Sequence, residues 1–171
     1  MLQQDARDEL KIFSQARTTR FLSALPGYTY DAKGGLGITV YVMDTGIYPD
    51  HPVSVIDYQY SIILTHLQEF RNMPGSIRWL YLPNEPHIRS DEVGHGTCTT
   101  SKVVGPAYGV AKNADIVVVK IRPATVDFKI SHMIAAWGVV ATDIASKGNQ
   151  AKAVVLITLS SEKSRPWILG I

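Results

Sequence analysis

The 171 residues are 46% hydrophobic with a net charge of +2, enough apolar material for one globular domain with a core. Charged residues make up 19% and both signs are mixed along the chain, which argues against a nucleic-acid stripe or a basic membrane-surface patch. The single cysteine, Cys98, has no partner for an internal disulfide, so the redox compartment stays open.

The first twenty residues, MLQQDARDELKIFSQARTTR, are polar and lack an apolar core of signal-peptide length. No run reaches the roughly 18 apolar residues of a membrane span, so the chain as written is expected to be soluble. Residues 5–22 read as a partly helical lead-in. Pro26-Gly27 and Lys33-Gly34-Gly35 then punctuate the chain with turns. "ITVYVMD" (38–44) is a continuous β-branched and aromatic run, the pattern of a strand buried on both faces in a parallel sheet.

Residues 52–92 are hard to read, apart from a strand expected near "IRWLYL" (77–82). "GHGTCTTSKVV" (94–104) suggests a helix with a glycine-rich first turn, and "ADIVVVKIR" (114–122) a second buried strand. The next stretch, 131–148, suggests a helix burying a face of Ile134, Trp137, Val140, Ala141 and Ile144, with Ser131 capping its start and Gly148 its end. "AKAVVLITL" (151–159) is a third buried strand. Strands alternating with helices predict an α/β fold with a largely parallel sheet.

In such sheets functional groups collect beyond the carboxyl ends of the strands. Asp44 ends its strand in Asp-Thr-Gly, a phrase that suits three roles. It could be half of an aspartic-protease dyad, the carboxylate that orients a histidine, or the start of a plain turn. On position alone, a catalytic role and a turn role stand equal. Glycine flanks His95 on both sides at a helix start, which allows close approach to a ring on a rigid mount. A dyad would need a second Asp-Thr/Ser-Gly or a symmetric dimer, and the chain has no second copy. His51, His66, His87 and His132 show no metal-ligand spacing, so no metal site is assigned. Cys98 reads as a small buried helix residue rather than a nucleophile.

Asp-Thr-Gly, followed 51 positions after its Asp by the His of Gly-His-Gly-Thr and then by "VVVK", resembles the subtilisin-like serine proteases, in particular the proteinase K-like and fungal members. The resemblance runs over about residues 36–160, through "VYVMDTGIYPDHP", "GHGTCTTSKVVGPAYGVAKNADIVVVKI" and "AAWGVVATDIASKGNQAKAVVLITL". It implies a three-layer αβα fold, incomplete at its carboxyl side. It divides the chain into a lead-in (1–35) like the join of a propeptide to a mature domain, a partial catalytic domain (36–162) and a divergent tail (163–171). It implies that Asp44 orients the catalytic histidine and that His95 is the general base.

It also implies that substrate backbone pairs along Thr158, Leu159 and Ser160. One wall of the cleft is expected at Thr125, Val126 and Asp127. The implied partner is a polypeptide substrate or inhibitor, with no nucleic acid, membrane or cofactor. Calcium is possible for the family, but no acidic loop here marks a site.

The chain departs from the family pattern in several places. Thr99, Thr100 and Ser101 replace the small residues usual on the histidine helix, and Leu156 stands where an Asn is usual. Ser160 and Ser161 replace two glycines. No Gly-Thr-Ser-Met-Ala type segment follows His95; Ser76 precedes it, and Ser160 and Ser161 lack the glycine-rich elbow. The expectation is a chain with the Asp and His of a triad, inactive by itself. The alternatives are a non-catalytic binding module and one half of a split protease completed by a second chain.

Overall fold

A computed structural model describes residues 1–15, 21, 24–49, 52–53, 67–68, 70, 73–121 and 129–158. In chain order the elements are β1 (Leu2–Gln3), α1 (Asp8–Phe13), β2 (Tyr28–Thr29), β3 (Thr39–Asp44), β4 (Pro52–Val53), β5 (Leu67–Gln68), β6 (Ile77–Leu80), α2 (His95–Val104), β7 (Asp115–Lys120), α3 (Ile130–Ser146) and β8 (Ala153–Ile157). The central sheet has the order β6-β7-β3-β8 with every pair parallel. Two short antiparallel pairs, β1–β2 and β4–β5, stand apart from it.

Alternation along β3 divides the core into two layers. Val40 and Val42 face one side, packing with Ile47, Ile116, Val118 and with Val104 of α2. Tyr41 and Met43 face the other, with Val117, Val119, Ile121 and with Ala136 and Val140 of α3. The sheet therefore has a helix on each face, an α/β fold of three layers. The strands expected from the apolar runs lie at the expected places, one to four residues shorter overall, but β8 is not the buried strand expected: Val154 is 50% exposed and the rest of the strand only half-buried.

The lead-in is tied to this body. Leu10 of α1 is buried with Ala6 and Tyr28, and Gln3 Nε2 donates to the Ala107 carbonyl at 3.0 Å. Tyr28 and Tyr30 stack at 5.3 Å, with the Lys112 ammonium 5.4 Å from the Tyr30 ring centre.

Helix α3 ends as expected and begins otherwise. Gly148 takes a left-handed φ of 59°, donating to Ala145, while Asn149 N donates to the Ile144 carbonyl at 3.1 Å. These two bonds form a Schellman stop, which favours glycine at that position. At the start, the cap position is Lys129 with no side-chain cap bond, and Ser131 lies inside the first turn. The buried face also differs from the expected one. Val140 is buried, but Ile134 is 66% and Trp137 43% exposed, and Ala141 is exposed; Ala136 and Met133 take their place against the sheet. This helix is apolar nearly all round, so its periodicity allows two stripes, and only the sheet it packs on selects one.

On α2 the buried residues are Gly96, Thr97, Thr100 and Val104, leaving Cys98 on the exposed side. The reading of Cys98 as buried is thus corrected. Thr100 is fully buried, and its Oγ1 is one of two buried side-chain oxygens without a hydrogen-bond partner among the described residues. A hydroxyl buried unpaired costs free energy that an isosteric valine does not. Thr100→Val should raise the unfolding free energy by about 1 kcal/mol, read from urea titration. A lowered midpoint would mean the hydroxyl is bonded after all.

Candidate active site

Asp44 closes β3 at the carboxyl end of the parallel sheet, opposite Lys120 of β7, and is 1% exposed. A buried carboxylate must be paired, and four donors surround this one. Oδ1 faces His95 Nδ1 at 2.7 Å and accepts the Thr45 backbone N–H at 2.7 Å. Oδ2 accepts from Thr158 Oγ1 at 2.7 Å and from Thr99 Oγ1 at 3.1 Å. With both oxygens held, the carboxylate has a fixed orientation toward the ring. His95 is the first residue of α2, and its side chain is 44% exposed. One ring nitrogen therefore engages a buried anion on a histidine that stays open to solvent.

Two glycines bring β3 and α2 close enough for this contact. A Cβ on Gly96 would meet the Gly46 carbonyl oxygen at 2.1 Å, and one on Gly46 would meet the Ser90 carbonyl oxygen at 2.3 Å. Gly46 also has φ of 109°, a conformation side chains rarely adopt. The glycines of Asp-Thr-Gly and Gly-His-Gly thus let two backbones touch.

The remaining scaffold comes from Asp91, which the sequence reading passed over. Its Oδ1 accepts from Thr45 Oγ1 at 2.8 Å and from the N–H groups of Val93 and Gly94 at 3.1 and 2.8 Å. Its Oδ2 accepts the N–H and Oγ1–H of Thr97 at 2.8 and 2.6 Å. Thr45 Oγ1 in turn accepts the Gly96 N–H at 2.9 Å. The N–H groups of Gly94, Gly96 and Thr97 at the start of α2 are satisfied by Asp91 and Thr45, while the cap residue Gly94 supplies no side chain. Burial pushes the Asp91 carboxyl upward, but the hydroxyls of Thr97 and Thr45 and the backbone N–H groups of Thr97 and Gly94 outweigh it and hold it below its ordinary value. An Asp just ahead of a glycine-rich helix start was the available signal.

Beside it, Lys120 Nζ donates to the Ser90 carbonyl at 2.9 Å and pairs with Glu92, joining β7 to the same loop. Hydrogen bonds from Lys120 and Ser90 hold Glu92 below the usual carboxylate range.

Of the residues expected to bind substrate, Thr158 lies beside Asp44 and bonds to it through its side chain. Thr125, Val126, Asp127, Leu159 and Ser160 lie outside the described residues, as do His51 and His66. His132 Nε2 lies 3.4 Å from Glu85, and His87 stacks on Tyr81 at 4.0 Å. Among the described residues no group of three or more His, Cys, Asp or Glu could hold a metal ion, and no helix is long and apolar enough to cross a membrane.

The fold is α/β, with a buried carboxylate bonded to an exposed histidine at the carboxyl ends of its parallel sheet. Relatives narrow the class. Over 154 residues, 90% of this chain, it is 30% identical to Subtilisin-like protease 2 of Trichophyton rubrum and to that of Trichophyton verrucosum, and 31% identical to that of Arthroderma otae. The chain is related to the fungal subtilisin-like proteases. It spans about a third of the length of the curated relatives it matches, 32% in each case. No family model matches it.

Proposed function

We propose that this chain supplies the Asp and the His of a subtilisin-like serine endopeptidase, Asp44 orienting the ring and His95 acting as general base. The observation that supports this most directly is the 2.7 Å contact between His95 Nδ1 and the buried Asp44 Oδ1. A carboxylate there fixes the tautomer that carries its proton on Nδ1, leaving the Nε2 lone pair to take a proton from a hydroxyl nucleophile. As the imidazolium forms, the same anion stabilises it. As the tetrahedral intermediate collapses, Nε2–H protonates the departing amine.

Within these 171 residues no serine follows His95 in the glycine-rich segment such enzymes use, so the nucleophile is to come from residues outside this sequence. In subtilisin, removing the serine alone lowers turnover about 10⁶-fold. The chain by itself should therefore hydrolyse peptides negligibly. Chain completion can occur along β8, the edge strand beside β3, where Val154 is 50% exposed.

A fluorophosphonate probe tests this reading. The chain alone should not be labelled. Adding the serine-bearing remainder of a related protease should produce labelling on that second polypeptide, lost when His95 is replaced by Ala. Labelling of the chain alone would mean that it carries its own nucleophile, and the proposal would fail.

A further inference from the structure

Three of the four donors on Asp44 follow from its place in the chain and sheet: Thr45 is the next residue, His95 stands opposite, and Thr158 directly follows the neighbouring strand β8. The fourth, Thr99, belongs to α2, four residues after His95. Side chains four apart share one helix face. From that face His95 addresses Oδ1 at 2.7 Å and Thr99 addresses Oδ2 at 3.1 Å. Two bonds from one helix to the two oxygens of one carboxylate oppose its rotation.

We propose that Thr99 is a positioning residue that sets the rotation and charge of Asp44, so that the Asp44–His95 pair is formed by β3 and α2 alone. This rests on the reading of that pair as orienter and base. Thr158 also holds Oδ2, but through the end of β8. Thr99 shares its helix with His95, and keeps the carboxylate aimed whatever that strand end does.

The Thr99 hydroxyl has one proton and two acceptors, Asp44 Oδ2 and the Gly96 carbonyl, each at 3.1 Å. Hydrogen bonds to an ionised acceptor are about twice as strong as neutral ones, so the proton goes to the carboxylate. That bond also draws negative charge toward Oδ2 and weakens the pull of Oδ1 on the Nδ1 proton.

The test is the low-field proton resonance of His95 Nδ1–H in the intact chain, observed by NMR. Thr99→Val, which keeps the shape and removes the donor, should move the resonance downfield, and Thr99→Ser should return it to the parent position. The double change Thr99→Val with Thr158→Val should broaden it, because Oδ2 then has no hydroxyl holding it. An unmoved resonance in Thr99→Val, with native amide dispersion, would assign the proton to the Gly96 carbonyl and overturn the role of Thr99. Should valine prevent folding, Thr99→Ala carries the same expectation and the same refutation. Absence of any low-field His95 signal in the parent would overturn the Asp44–His95 reading and this proposal with it, whereas an unmoved signal overturns the role of Thr99 alone.

Discussion

Asp91→Ala should lower the unfolding free energy by about 3 kcal/mol, measured by urea titration at neutral pH. Five donors converge on that carboxylate: Thr45 Oγ1, the N–H groups of Val93, Gly94 and Thr97, and Thr97 Oγ1. Hydrogen bonds to a charged group are worth roughly 1.5–3 kcal/mol each, but Asp91 is only half-buried and water replaces part of what is lost. The expected figure is therefore well below the sum. The loss falls on the α2 start, so the His95 Nδ1–H resonance should also broaden. A change under about 1 kcal/mol would show that the loop before α2 is held by something else.

Acid should reproduce the effect. The folded carboxyl is held below its ordinary value near 3.8. A depressed carboxyl contributes its full stabilisation above the unfolded value, and that contribution is lost as pH falls through the folded one. The gap between parent and Asp91→Ala should be constant near neutrality and close below about pH 4. A gap unchanged into stronger acid would contradict the linkage.

Asp143→Ala should be comparably damaging, by about 3 kcal/mol, through the opposite face of the sheet. Asp143 Oδ2 accepts from the hydroxyl of fully buried Tyr41 at 2.7 Å, and Oδ1 accepts from Arg78 Nη1 and Lys147 Nζ, each at 3.1 Å. Arg78 makes a second, bidentate bond to Oδ2 and lies over the Tyr41 ring. Burial raises the Asp143 carboxyl, while bonds from Arg78, Tyr41 and Lys147 bring it below the usual range.

Removing the carboxylate strands a buried hydroxyl and half of a guanidinium, which costs more than the net worth of the bonds themselves. Tyr41→Phe in the Asp143→Ala background should then be nearly neutral, although Tyr41→Phe alone should cost about 1 kcal/mol. Strict additivity of the two changes would refute the shared network. The His95 resonance should not move, since Asp143 sits on α3, across the sheet from α2.

How much of this was legible follows from what each residue depends on. The runs 38–44 and 114–122 announced buried parallel strands because side chains enclosed on both faces must be apolar throughout, whereas 151–159 announced a parallel strand that is only half-buried, with Val154 exposed. Gly148 announced the end of α3 because a left-handed stop is a local, backbone property. The α3 face was not legible, since an almost wholly apolar helix presents no single stripe. Cys98 was misjudged because cysteines are usually buried, and only the rotation of α2 about Gly96, Thr97 and Thr100 turns it outward. Asp91 looked like one more charge in a polar loop. Nothing local shows that a carboxylate will collect donors from Thr45, 46 residues away, and from Thr97.

The sequence by itself determined the α/β class, the strands, the Asp44 and His95 motifs and the glycines between which they meet. Those depend on local pattern and on backbone freedom, which neighbouring residues specify. Only the tertiary structure decided that Asp44 is held through both oxygens, that Thr99 and Thr158 are its hydroxyl donors, and that Asp91 sets the start of α2. Those depend on distances between β3, α2 and the end of β8, elements far apart in the chain. Their hydrogen bonds exist only once the parallel sheet has brought the carboxyl ends of its strands together.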